Sequence, residues 1–75
     1  MLDLRKNQLE RVPAQLAACT KLKLLNLGDN KIGEVPSDIL AKCTDLEELH
    51  LYKNKLESIP DEIGNCIKLK NLTLS

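Results

Sequence analysis

The sequence predicts an α/β fold: an open, right-handed solenoid with a parallel sheet on its concave side and short helical or 3-10 segments on its convex side. Three observations carry that prediction. Polar, proline and cysteine markers recur together: Asn7, Asn30 and Asn54 are separated by 23 and 24 residues, Pro13, Pro36 and Pro60 by 23 and 24, and Cys19, Cys43 and Cys66 by 24 and 23. Leu2, Leu25, Leu49 and Leu72 keep the same beat, at 23, 24 and 23. Hydrophobic residues make up 43% of the 75-residue chain but aromatics only 1%, so the core must be built from Leu, Ile and Val. A chain this short leaves a closed core marginal, whereas an aliphatic ladder repeated at a fixed period buries itself one unit against the next.

Each element follows from one part of the period. In "LLNLG" and "LHLYK" the alternation puts Leu25, Leu27, Leu49 and Leu51 on one face and the intervening side chains on the other. Such strands are too short to stand alone, and parallel stacking at a spacing of about 4.8 Å supplies their hydrogen bonds from neighbouring coils. Val12-Pro13, Val35-Pro36 and Ile59-Pro60 then hold the chain extended and preset φ for a helical turn. Acidic residues gather just after two of these prolines, in "SDI" and "DEI", where a helix start favours negative charge. Gly64 makes the third convex segment the weakest. The extra residue of the middle unit lies in "SDILAK", because Asn to Pro is 6 in every unit while Pro to Cys is 6, 7 and 6. The strand side therefore keeps strict register and the convex side absorbs the insertion.

Written out, the unit is Leu-x-x-Leu-x-Leu-x-x-Asn-x-(Leu/Ile)-x-x-(Val/Ile)-Pro, seen whole from Leu22 through Leu25, Leu27 and Asn30 to Ile32. This resembles the leucine-rich repeat, in the 23-residue form with an Ile-Pro or Val-Pro pair known from Ras-suppressor, Scribble and Erbin-type intracellular proteins. One departure is that Cys19, Cys43 and Cys66 stand where many such repeats carry Leu. The resemblance covers essentially the whole chain, as repeats over 2–24, 25–48 and 49–71 with the start of a fourth at 72–75. It implies that Asn7, Asn30 and Asn54 turn inward and hydrogen-bond the backbone of adjacent coils; a buried turn carries amides that water cannot reach. A plain turn preference of Asn is the alternative.

The residues that could carry chemistry do not assemble into a catalytic or metal site. Three cysteines without a Cys-x-x-Cys pair lack the converging ligands a metal needs. Their equal spacing predicts a structural column of small apolar residues facing the core from the convex segments. Adjacent members fall within disulfide reach, yet thiols are expected in a reducing compartment. His50, the single histidine, points to the concave side, away from that column. The glycines are scattered singles, so no phosphate loop is expected. Asn71-Leu72-Thr73 matches a glycosylation sequon at a strand edge, a three-residue pattern that chance readily produces. No catalytic residue, cofactor or metal is assigned, and no enzyme activity is expected.

The concave face remains, the surface solenoids present to partners. Its outward positions form columns: Asp3, Asn26, His50 and Thr73; Arg5, Gly28, Tyr52 and Ser75; Lys6, Asp29 and Lys53; and Leu24, Glu48 and Asn71. Residue type changes along each column, in contrast to the constant Leu and Asn columns. Asp3, Arg5, Leu24, Asn26, Glu48, His50, Tyr52 and Lys53 are therefore the candidate partner-binding residues, with Tyr52, the sole aromatic, as anchor.

Eleven basic and eleven acidic residues, with no block of like charge, argue against nucleic acid or an anionic membrane as partner. The expectation is recognition of a protein in a scaffold or signalling setting, in the cytosol. Two alternatives are a structural subunit of a large assembly and the recognition segment of a multidomain enzyme. Both ends break off within a repeat, so the chain is expected to be part of a longer array, with further repeats or partner subunits over its uncapped ends.

Overall fold

The computed structural model describes residues 1–74. Four short strands, β1 (Leu2–Asp3), β2 (Leu24–Asn26), β3 (Glu48–His50) and β4 (Asn71–Thr73), form one parallel sheet in the order β1-β2-β3-β4. Leu2 pairs with Leu25, Leu25 with Leu49 and Leu49 with Leu72, so the leucine beat of the sequence is the register of the sheet. The convex side carries a 3-10 segment at Ala14–Ala18, the helix α1 at Ser37–Lys42 and a second 3-10 segment at Asp61–Asn65. The chain is an α/β solenoid.

The unequal repeat lengths explain why the middle convex segment alone is α-helical. In the two shorter units the cysteine amide donates three residues back, Cys19 to the Leu16 carbonyl (3.0 Å) and Cys66 to that of Ile63 (3.1 Å). The extra residue before Cys43 lets its amide reach four residues back, to Ile39 (2.9 Å). One inserted residue thus turns a 3-10 segment into an α-helical turn and adds Leu40 to the core beside Ile39. The 3-10 segment that contains Gly64 buries no residue.

The core lies between sheet and convex segments and is densest in the middle coil, where Leu25, Leu27, Ile32, Val35, Ile39, Leu40 and Leu46 join Leu49 and Leu51 of the next. Each fully buried aliphatic side chain contributes about 1.5–3 kcal/mol. The outer coils contribute partly buried Leu2, Leu4, Leu9, Leu56, Ile59, Ile63 and Leu69. Among the described residues each has a coil packed on one side only.

Two columns of side chains tie coil to coil. Asn30 Oδ1 accepts the amides of Asn7 and Leu9 in the first coil, both at 2.9 Å, while its Nδ2 donates to the carbonyls of Leu4 (3.0 Å) and Leu27 (2.9 Å). Asn54 repeats this one coil on, accepting from the Ile32 amide (2.9 Å) and donating to the Leu27 and Leu51 carbonyls (3.0 Å each). Asn7 departs from the inward placement the resemblance implies. It is exposed, and its amide nitrogen reaches the Arg5 carbonyl of its own coil (3.1 Å), since the described residues place no backbone from another coil beside it.

On the convex side the Cys43 thiol donates to the carbonyls of Leu16 (3.5 Å) and Cys19 (3.6 Å), and the Cys66 thiol to those of Leu40 (3.5 Å) and Cys43 (3.7 Å). Both are buried, and burial pushes both thiols above their ordinary value, Cys43 further through its neighbours Cys19 and Cys66. Cys19 is the correction here: expected to face the core, it is exposed, because among the described residues a coil packs against it from one side only. The thiol is more than apolar filling in this column. Its one hydrogen is shared between two carbonyls of the preceding coil.

Candidate protein-binding face

The sheet presents its second face to solvent. There the pairing register aligns Asp3, Asn26, His50 and Thr73 in one row across all four strands, and Leu24, Glu48 and Asn71 in another. Beyond the strands the ladder continues: the Lys6 amide donates to the Gly28 carbonyl (3.2 Å) and that of Asp29 to Tyr52 (2.8 Å). Lys6, Asp29 and Lys53 occupy this turn with φ of 57°, 54° and 53°, left-handed values that turn the chain toward the following Asn. Ser75, assigned by sequence to the Tyr52 column, lies outside the described residues.

Several concave side chains are held in place by one another. Arg5 Nε meets both Asp3 carboxylate oxygens, at 2.9 and 3.0 Å, and a terminal nitrogen adds a 2.9 Å ion pair. The guanidinium holds Asp3 below the usual carboxylate range, and Asp3 in turn raises Arg5, with a smaller push from the Tyr52 hydroxyl. His50 bridges strands: Nδ1 lies 2.9 Å from Thr73 Oγ1 and Nε2 3.3 Å from Glu48 Oε1. Asn26 Oδ1 accepts the Gly28 amide at 3.0 Å and so stiffens the exit of β2.

Gly28 and Tyr52 form a contact that their spacing of 24 residues conceals. A Cβ built on Gly28 would fall inside the Tyr52 ring. The ring therefore lies down on the sheet over the missing side chain, and Gly28 is buried beneath it. Leu24 is half-buried, and Lys53 stands exposed at the strand exit.

Away from these rows, ion pairs also join adjacent coils, Lys68 to Asp45 (3.1 Å) and Lys70 to Glu47 (3.7 Å). An open groove of about 640 Å³ runs past Gly33 between Glu10, Glu34 and Glu57; no concave candidate lines it. Among the described residues no group of His, Cys, Asp or Glu is placed to hold a metal ion, and no helix is long and apolar enough to cross a membrane.

Stacked coils, a one-residue-per-turn Asn ladder and an open sheet of changing side chains define a solenoid repeat protein. The chain belongs to the leucine-rich repeat family, whose model, described as "Leucine rich repeat", matches residues 20–75. No curated protein matches the chain. Repeats of this family are in general protein-binding modules and typically not enzymes.

Proposed function

We propose that the concave sheet recognises a protein partner, with Arg5 and Tyr52 at the centre of the contact and Asp3, Leu24, Asn26, Glu48, His50 and Lys53 around them. The observation that carries this reading is the contrast between columns: the leucines and asparagines stay constant from coil to coil, while the concave residues change, with Asp3 and Arg5, and Glu48, His50 and Thr73, fixed by mutual hydrogen bonds. A surface ordered before contact loses less side-chain entropy on binding. The chain acts without catalysis, as a scaffold or signalling module. Its setting is a reducing, cytosolic one, supported by the Cys43 and Cys66 thiols, whose donated hydrogen bonds need the S–H. Further repeats or partner subunits cover its ends, a view supported by the exposure of Met1 (86%), Ile67 (83%), Leu74 (48%) and Leu72 (39%).

Photo-crosslinkers placed singly at Asn26, His50, Gln15 and Lys42, in extract of the source cells, test the concave reading. Adducts to a protein from the first two positions, lost when Arg5 and Tyr52 are both replaced by Ala in a chain that still folds, are expected. Adducts confined to Gln15 and Lys42 on the convex side would overturn it.

A further inference from the structure

We propose that Tyr52 is a strap: its ring crosses the middle coil through the notch left by Gly28, and its hydroxyl holds Arg5, so that the third coil fastens the first. Continued two residues past the strands, the pairing register sets Arg5, Gly28 and Tyr52 in one column, one residue per coil. Gly28 does not have a positive φ, so its backbone alone would accept another residue. What excludes a side chain is the far end of the Tyr52 ring, since Cζ and both Cε atoms lie where the Cβ would stand. Neighbouring strands lie about 4.8 Å apart, so a ring whose far end already covers the second coil carries its hydroxyl on toward the first. There Asp3 takes Nε and one terminal nitrogen of Arg5, which leaves further donors on the guanidinium. The phenol meets them: after Asp3, it is the Tyr52 hydroxyl that pushes Arg5 up.

This contact departs from the rule that a solenoid unit touches only its neighbours. Among the described residues the other side-chain bonds between coils join adjacent ones: Asn30 and Asn54 reach the coil before, Cys43 and Cys66 do the same, His50 meets Thr73 and Lys68 meets Asp45. Without the strap the first coil could open by parting from the second alone. With it, opening must also separate Arg5 from Tyr52, and lifting the ring loosens the first coil. One side chain thus couples the concave surface to the order of that coil, and Gly28 is the positioning residue that lets it pass. A methyl at Gly28 would meet the far end of a movable side chain and not backbone, so Gly28→Ala should fold with its ring displaced.

Amide hydrogen exchange of the full chain, followed by NMR, tests the strap. Tyr52→Phe keeps the ring and removes only the hydroxyl. In that variant exchange at Leu4 and Lys6, whose amides tie the first coil to the second, should quicken about threefold, while Leu27 and Asp29, which bond to the third coil, keep their rates. Gly28→Ala should quicken Leu4 and Lys6 at least as much. Adding Tyr52→Phe to Gly28→Ala or to Arg5→Ala should then change nothing further, because all three act through one contact. Unchanged rates at Leu4 and Lys6 in Tyr52→Phe overturn the strap, and so does a full additional effect of Tyr52→Phe when Arg5 is already Ala. Equal quickening at Leu27 and Asp29 overturns it too, since the hydroxyl would then serve only neighbouring coils. No partner enters this experiment, so its failure leaves the concave reading standing.

Discussion

Asn30 shows how much one side chain can hold in this fold. It is buried, and its amide oxygen and nitrogen serve backbone groups in two coils. Replacing it by Leu keeps the number and branching of the heavy atoms but leaves the Asn7 and Leu9 amides and the Leu4 carbonyl without their partner, while the Leu27 and Gly28 carbonyls keep Asn54 Nδ2 and the Lys6 amide; the cost is about 1–3 kcal/mol per buried group. Asn30→Leu is expected to lower stability by at least about 3 kcal/mol in urea denaturation, whereas Asn7→Ala should change it by less than about 0.5 kcal/mol. Equal losses at the two positions would refute the ladder as described. The sequence made the two asparagines look alike; what distinguishes them is whether the described residues supply backbone from a neighbouring coil, which a repeat pattern read one unit at a time does not reveal. Asp3 gives a second expectation at this scale. Its carboxyl should titrate below the ordinary value of 3.8 by carbon-detected NMR and return toward it in Arg5→Ala. Because its folded value is depressed, the stabilisation it adds is complete above the ordinary value and fades as pH falls through the lowered one. A midpoint unmoved by Arg5→Ala would show that the ion pair does not persist in solution.

At the scale of elements, the convex segments were legible in kind but not in detail. Proline and acidic residues marked where helical turns begin, and the count from Pro to Cys located the insertion. That the insertion makes an α-helical turn follows from the reach of the Cys43 amide to Ile39, which spacing alone does not reveal. The cysteines were legible as a column and illegible as donors, since a thiol bond to the preceding coil depends on where the carbonyls of Leu16 and Leu40 point. This column makes the fold sensitive to alkali. Burial raises the Cys43 and Cys66 thiols above their ordinary 9.0, so the unfolded chain loses these protons first. Their contribution is complete below the unfolded value and is lost as pH rises through the folded one. Stability measured from pH 7 to 11 should fall above about 9, and the fall should shrink in the Cys43→Ala, Cys66→Ala double variant. The same geometry orders their reactivity: Cys19 should be modified by an aromatic disulfide reagent at once, and Cys43 and Cys66 only as the fold opens. Equal rates for all three would contradict the stacked column.

For the whole molecule, the decisive property is that each coil depends on its neighbours, so stability should be graded along the stack and not uniform. The central coil is covered on both sides and contains most of the fully buried residues. The first is held from one side through the amides of Leu4 and Lys6, which donate to Asn26 and Gly28, and through Asn30. At the other end Ile67 stands in the column of Thr20 and Thr44, an apolar residue where its counterparts are polar, and β4 is exposed throughout. This gradient is what repeats hide in sequence, because identical motifs acquire different burial purely from position. Hydrogen exchange should therefore be slowest at Leu27 and Asp29, whose amides bond to His50 and Tyr52, and faster at Leu4 and Lys6. Ile67→Thr should leave the melting temperature within a few degrees, since an exposed side chain contributes little to packing, yet reduce association at high concentration measured by light scattering, because the exposed apolar end is what molecules can share. Were Leu4 to exchange as slowly as Leu27, the coils would be melting as one unit, and the exposed apolar residues of the outer coils would have to be covered in solution by contacts between molecules, which Ile67→Thr would then weaken and the exchange rate at Leu4 would report.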